Sequence, residues 1–205
     1  MDIHATSNYT QKDIIAEVAA VLREERATAT NIESAVDKAG IDRNKVNAMF
    51  GSMHGLLLEM VSDLSGALIQ PLEDHPTDRT VRDVLIEFGN RLTNTYSVSH
   101  LIALYRIALT EATRNSGIGK DFFERGPGKL TRCLAQYLEY SARRFNRIRI
   151  DNPKRMADNF LSLLGDNLEL SGAMTGTRTS SVKDNSDAVI DAVQLLFRGI
   201  VREGQ

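Results

Sequence analysis

Arg43, Asn44, Lys45 and Asn47 stand within five residues of one another and carry the groups that bind nucleic acid most directly. A guanidinium and an ammonium attract phosphate, while an asparagine carboxamide matches the donor and acceptor edge of a base. Thr30 and Asn31 lie upstream and would offer phosphate a hydroxyl and an amide at the positive end of another helix. Rival chemistry is poorly represented. The four histidines, His4, His54, His75 and His100, are scattered without metal-ligand spacing, and His54 reads as a surface or capping residue. GIGKD and RGPGKLT each contain a Gly-Lys pair, but Arg114 and Phe123 stand where a phosphate loop needs its first glycine. Cys133, the single cysteine, sits on a helical pattern and reads as a packing thiol. No nucleophile, base and orienting group fall into pattern, so neither an enzyme nor a bound metal or cofactor is expected.

The elements that must position these donors are helical almost throughout, because apolar residues recur at helical rather than alternating spacing. Ile14, Ile15, Val18, Ala19, Val21 and Leu22 form one stripe. Thr30 with Glu33 predicts a capping box for a helix over Asn31–Lys38, and Gly40 ends it in a left-handed turn. Asp42 then caps Arg43–Phe50, and a longer helix runs from about Met53 to Ile69, stopped by Pro71. Glu73 to Arg79 is a candidate boundary between modules. Thr80 and Asp83 open the next helix, and Ser97–Thr113 forms another. NSGIGKD reads as a turn before a helical stretch, Asp121–Ile148, interrupted at Gly126-Pro127-Gly128. Two amphipathic helices close the chain, Pro153–Leu170 and Ser186–Val201. The expectation is an all-α protein of about nine helices.

Composition sets limits on what such a fold could do. The 205 residues are 42% hydrophobic and 25% charged, as in ordinary globular proteins. No apolar run approaches the ~20 residues of a membrane span. The first residues lack the basic and apolar regions of a secretory signal, and one cysteine suits a reducing cytoplasm. Net charge is −2, so no global positive field draws in nucleic acid. The first sixty residues carry six lysines and arginines against nine acidic residues, a formal −3. The basic run Arg143, Arg144, Arg147 and Arg149 reads as a solvated helix end, where cations offset the dipole.

Several segments together resemble the TetR family of bacterial transcriptional regulators, over essentially the whole chain. Ala29-Thr30-Asn31-Ile32 matches the start of that family's second helix, and Ala39-Gly40-Ile41 its Ala-Gly-Val turn. Phe50 matches the aromatic residue that closes the recognition helix, and Ser52 with Leu56-Leu57-Leu58 the segment after it. Further on, the run from Arg106 to Leu138 is similar to a family segment containing Glu-x-Gly-Pro. Asn152-Pro153 with Ala157-x-x-Phe160-x-x-Leu163 resembles the opening of its dimer-forming helix. The departures fall on the DNA side. Arg26 replaces a glycine, Ala35-Val36 an Ile-Ala pair, Lys45-Val46-Asn47 a Thr-Leu-Tyr triplet, and Met49 and Met53 a polar residue and a lysine. The tyrosine hydroxyl and the lysine ammonium are phosphate-binding groups in the family.

The resemblance implies a helix-turn-helix head over 1–53 and a ligand-binding and dimerisation body over 54–205. It implies a homodimeric, ligand-responsive regulator, a repressor by default, on a palindromic operator of double-stranded DNA. Thr30, Asn31, Arg43, Asn44, Lys45 and Asn47 are its expected DNA contacts. Phe88, Leu92, Tyr96, Leu101, Tyr105, Tyr137 and Phe160 are expected to line a pocket for a small hydrophobic or amphipathic effector. Phe160, Leu164, Leu168, Val189, Val193, Leu196 and Phe197 are expected at the dimer interface. The alternative is a binding module of the same fold that has lost sequence-specific DNA binding and works through a ligand or a protein.

Overall fold

The computed structural model describes residues 10–24, 31–74, 79–113, 117–145, 148–165 and 182–200. They are helical, as expected. The first helix, α1 (Gln11–Glu24), buries Ile14, Ile15, Val18, Ala19 and Leu22. Thr10 starts it, its hydroxyl donating to Asp13 Oδ2 at 2.7 Å. This lowers the Asp13 carboxyl below its ordinary range.

Helix α2 (Ile32–Lys38) begins one residue later than the sequence suggests. Its cap is Asn31, whose Oδ1 accepts from the Ser34 amide at 2.8 Å, in place of the expected Thr30–Glu33 capping box. Gly40 has φ 69° and turns the chain into α3 (Arg43–Phe50). Asp42 Oδ1 caps this helix through the Asn44 amide at 2.8 Å, and Gly51, φ 77°, ends it.

The central element is α4 (Met53–Glu73), capped by Ser52. It runs straight through Pro71, against the expected stop. Proline lacks the amide that should serve the carbonyl four residues back, here that of Ala67. The Arg91 guanidinium reaches across from the following helix and donates to that carbonyl at 3.0 Å instead. Both faces of α4 are buried at Leu56, Leu57, Met60, Val61, Leu68 and Ile69, because α1, α2 and α3 cover its first turns and the later helices the rest.

Helix α5 (Val81–Thr93) opens on the Thr80–Asp83 capping box, and α6 (Thr95–Ala112) begins just after Asn94. The predicted turn NSGIGKD is shorter than expected: Gly117, φ 67°, already starts α7 (Ile118–Arg125). The Gly-Pro-Gly interruption separates α7 from α8 (Pro127–Arg144) as two helices, so the described residues hold ten. Helix α9 (Pro153–Gly165) is capped by Asn152, whose Oδ1 accepts from the Arg155 amide at 2.9 Å. The last helix, α10 (Val182–Ile200), packs on α5 and α9. Gly89 of α5 makes that approach possible: a Cβ there would lie 2.6 Å from Val189 Cγ1.

Candidate nucleic-acid interface

Helix α3 turns Val46 fully inward and leaves Arg43, Asn44, Asn47 and Ala48 exposed, with Asp42 exposed at its cap. At about 100° per residue, Asn44 and Ala48 share the side opposite Val46, with Asn47 and Lys45 on its two flanks and Arg43 beyond Asn47. The helix is held firmly at both ends. Gln11 Nε2 of α1 donates to the Met49 carbonyl at 2.7 Å. At the corner into α4, a Cβ on Gly55 would lie 2.0 Å from the Phe50 carbonyl oxygen, so only glycine fits there.

The sequence-derived donors are not equally available. Asn44 and Asn47 are exposed. Arg43 is pinned to α2 by two hydrogen bonds to Asp37, one from Nε to Oδ1 at 2.8 Å and one from Nη2 to Oδ2. The pair holds the Asp37 carboxyl below its usual range and pushes the guanidinium higher. Lys45 is half-buried on the other flank, its charge felt by Asp13 of α1. Asn31 spends its carboxamide oxygen on the α2 cap, leaving its amino group as a donor. Thr30 lies outside the described residues. Ala48 has no polar group to mark it in the sequence, although its place one turn beyond Asn44 puts it on the same face.

Helix α6 makes contacts with both the start of α4 and α1. His54, at the start of α4, lies 3.1 Å through Nε2 from Oε2 of the buried Glu111 of α6. The histidine expected as a surface or capping group therefore bridges two helices. Nearby, α1 packs on α6, where His100 is buried and its imidazole pKa is lowered to about 4 by desolvation and then by Arg23.

In the body, Phe88, Leu92, Leu101, Tyr137 and Phe160 are all buried and Tyr105 half-buried. Tyr105 meets Phe122 edge to face, centroids 5.3 Å apart, and burial pushes its phenol up to about 12. Burial also raises Tyr137, which lines a cavity of about 100 Å3 with Leu72, Glu73 and Cys133. The Cys133 thiol is likewise raised by burial and is a poor nucleophile. A larger, open groove of about 710 Å3 runs between α4 and α5, lined by Leu64, Leu68 and Ile86 with Arg79, Glu87 and Arg91. None of the sequence-derived pocket residues lines this groove. The Tyr96 side chain lies outside the described residues.

The expected interface residues lie mostly inside the chain. Phe160, Leu164, Val189 and Val193 are fully buried within the chain, Leu196 nearly so, and Phe197 partly. A side chain with no exposed area has none to bury against a partner, so this stripe holds α9 and α10 to α5. The apolar residues these helices present outward are Leu163, 43% exposed, and Leu195, 52% exposed. Leu168 lies outside the described residues.

The remaining sequence candidates resolve locally. Arg143 pairs with Glu139, Arg144 with the Tyr140 hydroxyl at 2.6 Å, and Arg149 with Asp151. Among the described residues no His, Cys, Asp or Glu cluster is placed to hold a metal, and no helix is long and apolar enough to cross a membrane.

Residues 83–199 match a family described as the C-terminal domain of AefR-like transcriptional repressors. The chain belongs to the TetR family of transcriptional regulators. Its members are regulators, not enzymes. The regulator's fold is similar to that of a TetR-family transcriptional regulator from Mesorhizobium loti, at a TM-score of 0.71 and 17% identity over 94% of this chain and 96% of that one. It is similar also to the flavonoid-responsive regulator FrrA, at 0.65 and 22% over 95% and 98%. A third likeness is to SmeT, repressor of the Stenotrophomonas maltophilia multidrug efflux pump SmeDEF, at 0.59 and 20% over 96% and 92%. Comparison with curated proteins returns no match.

Proposed function

We propose that this regulator is a cytoplasmic homodimeric repressor whose two heads, residues 1–53, bind a palindromic DNA operator. The single observation that carries this reading is the polar, exposed face of α3, held by its caps and by Gln11 clear of the core. In the dimer, the two α3 helices would enter successive major grooves about 34–36 Å apart. Residues 54–205 would supply the dimer contacts and the site for a small hydrophobic or amphipathic effector, with Tyr105 and Tyr137 as its polar handles. Since these residues are packed, an effector must favour a rearranged body over the present one, which is a shift between two populations. The His54–Glu111 contact and the α1–α6 packing give that rearrangement a route to the head.

One observation favours the other reading, a module without sequence-specific DNA binding. The exposed guanidinium nearest the proposed DNA face is already committed to Asp37, in a head of formal charge −2. Pull-down of genomic fragments by the purified protein at two salt concentrations decides between them. A short enriched palindrome, bound more weakly as salt rises, supports the repressor. A folded protein that enriches nothing at low salt overturns it.

A further inference from the structure

The exposed face of α3 has a chemical character that bears on which bases it reads. Its centre is neutral, formed by Asn44 and Ala48, both exposed. Both cations stand to the sides, Arg43 turned back to Asp37 of α2 and Lys45 half-buried toward α1. With the helix lying in a major groove, side positions face the phosphate walls and central positions face base edges.

A centre of this kind discriminates between base pairs. Guanine is read through its O6 and N7 acceptors by a bidentate arginine or lysine, and neither stands at the centre of this face. An asparagine carboxamide donates to adenine N7 and accepts from its N6 amino group. The methyl group of alanine makes apolar contact with the thymine C5-methyl. We infer that the α3 face specifies A·T pairs: Asn44 reads an adenine and Ala48 packs on a thymine methyl, while Arg43, Lys45 and Asn47 hold the groove walls. The inference rests on the operator-binding reading above and adds the identity of the half-site.

The test begins with selection of bound sequences from a randomised duplex library by the full-length protein. Half-sites with A·T pairs at the α3 contact positions are expected, and exchange of one such pair for G·C should weaken binding about tenfold or more. Replacing the contacted thymine by deoxyuridine removes only its methyl group. That change should weaken binding several-fold for the unaltered protein and leave Ala48→Gly unaffected. Asn44→Ala, at an exposed position, should relax the adenine preference at one position. Enriched half-sites with G·C under α3, or a preference unmoved by these substitutions, would overturn the inference while leaving operator binding intact. Absence of any enriched sequence would instead remove the operator reading beneath it.

Discussion

Arg43 and Asp37 form a two-point ion pair between α3 and the helix before it, Nε to Oδ1 at 2.8 Å. It spans the turn of the helix-turn-helix and fixes the angle between its two helices. It also neutralises a cation at the edge of the DNA face. Asp37→Asn removes the competing carboxylate and frees the guanidinium for phosphate. We expect tighter, less sequence-selective DNA binding, with the slope of log K against log salt steeper by about 0.9 for one added phosphate contact. Fluorescence anisotropy across a salt series measures it. An unchanged slope would mean that Arg43 stays away from the backbone.

Two glycines test the packing of the body against each other. Gly66 of α4 has open space where a Cβ would go, whereas Gly89 of α5 faces Val189 at 2.6 Å. Gly66→Ala should stabilise the protein by roughly 0.5–1 kcal/mol through helix propensity alone. Gly89→Ala should do the reverse, costing about 1–3 kcal/mol by forcing α5 from α10. Val189→Ala should return part of that loss. Chemical denaturation of the three variants gives both signs.

The dimer reading separates neighbouring leucines. Leu163 and Leu195 are exposed, while Leu164 and Leu196 are buried in the chain's own core. Leu163→Asp with Leu195→Asp should yield folded monomers by light scattering, with near-normal helicity. Leu164→Ala should leave association intact and lower stability by about 2–5 kcal/mol. Dimers that persist in the double aspartate variant would place the interface elsewhere.

Local signals in the sequence carried the fold a long way. Asp42 and the Thr80–Asp83 box cap the helices their neighbours form, because a cap needs only residues within one turn. What escaped depends on partners far along the chain. The fate of Pro71 is settled by Arg91, and that of His54 by Glu111, 57 residues away. The stripes of α9 and α10 were legible as apolar, but apolarity does not say whether a face meets its own core or a second copy. The exposed face of α3 was legible through its polar residues. Those residues do not mark Ala48, whose contribution is a methyl group, or Asp37, which occupies one of them.

His100 gives stability a pH dependence of known sign. Its native pKa is lowered to about 4 from an ordinary value of 6.5 by burial and by Arg23. Between these values the unfolded chain binds a proton that the native protein refuses, so stability rises with pH through that window. The contribution is complete above pH 6.5 and is lost as pH falls to about 4, a total of about 3 kcal/mol. Asp13, Asp37, Asp83 and Glu87 have carboxyls held below their ordinary values, and the stability they contribute is lost at the acid end as pH falls through their folded values. Urea denaturation from about pH 4.5 to 8 should therefore show a slope that His100→Gln flattens. Since His100 packs where α1 of the head meets α6 of the body, loss of their contact should accompany it.

The continuation of α4 past Pro71 rests on one hydrogen bond from outside the helix. Arg91 Nη1 serves the Ala67 carbonyl at 3.0 Å while Nη2 holds Glu87 at 2.6 Å, and Arg79 grips the same carboxylate. Arg91→Met keeps the apolar stem and removes the donor. It should cost about 1 kcal/mol at this partly exposed site and loosen the last turn of α4 and its packing on α5. Pro71→Ala restores an amide within reach of Ala67 and lifts the ring clash. In that background Arg91→Met should cost less, giving a coupling of about 0.5–1 kcal/mol in a double-mutant cycle. Additive losses would show that Arg91 acts only through Glu87. Because the wall of the α4–α5 groove is built from these same residues, hydrogen exchange at Gln70 to Asp74 would report the loosening directly.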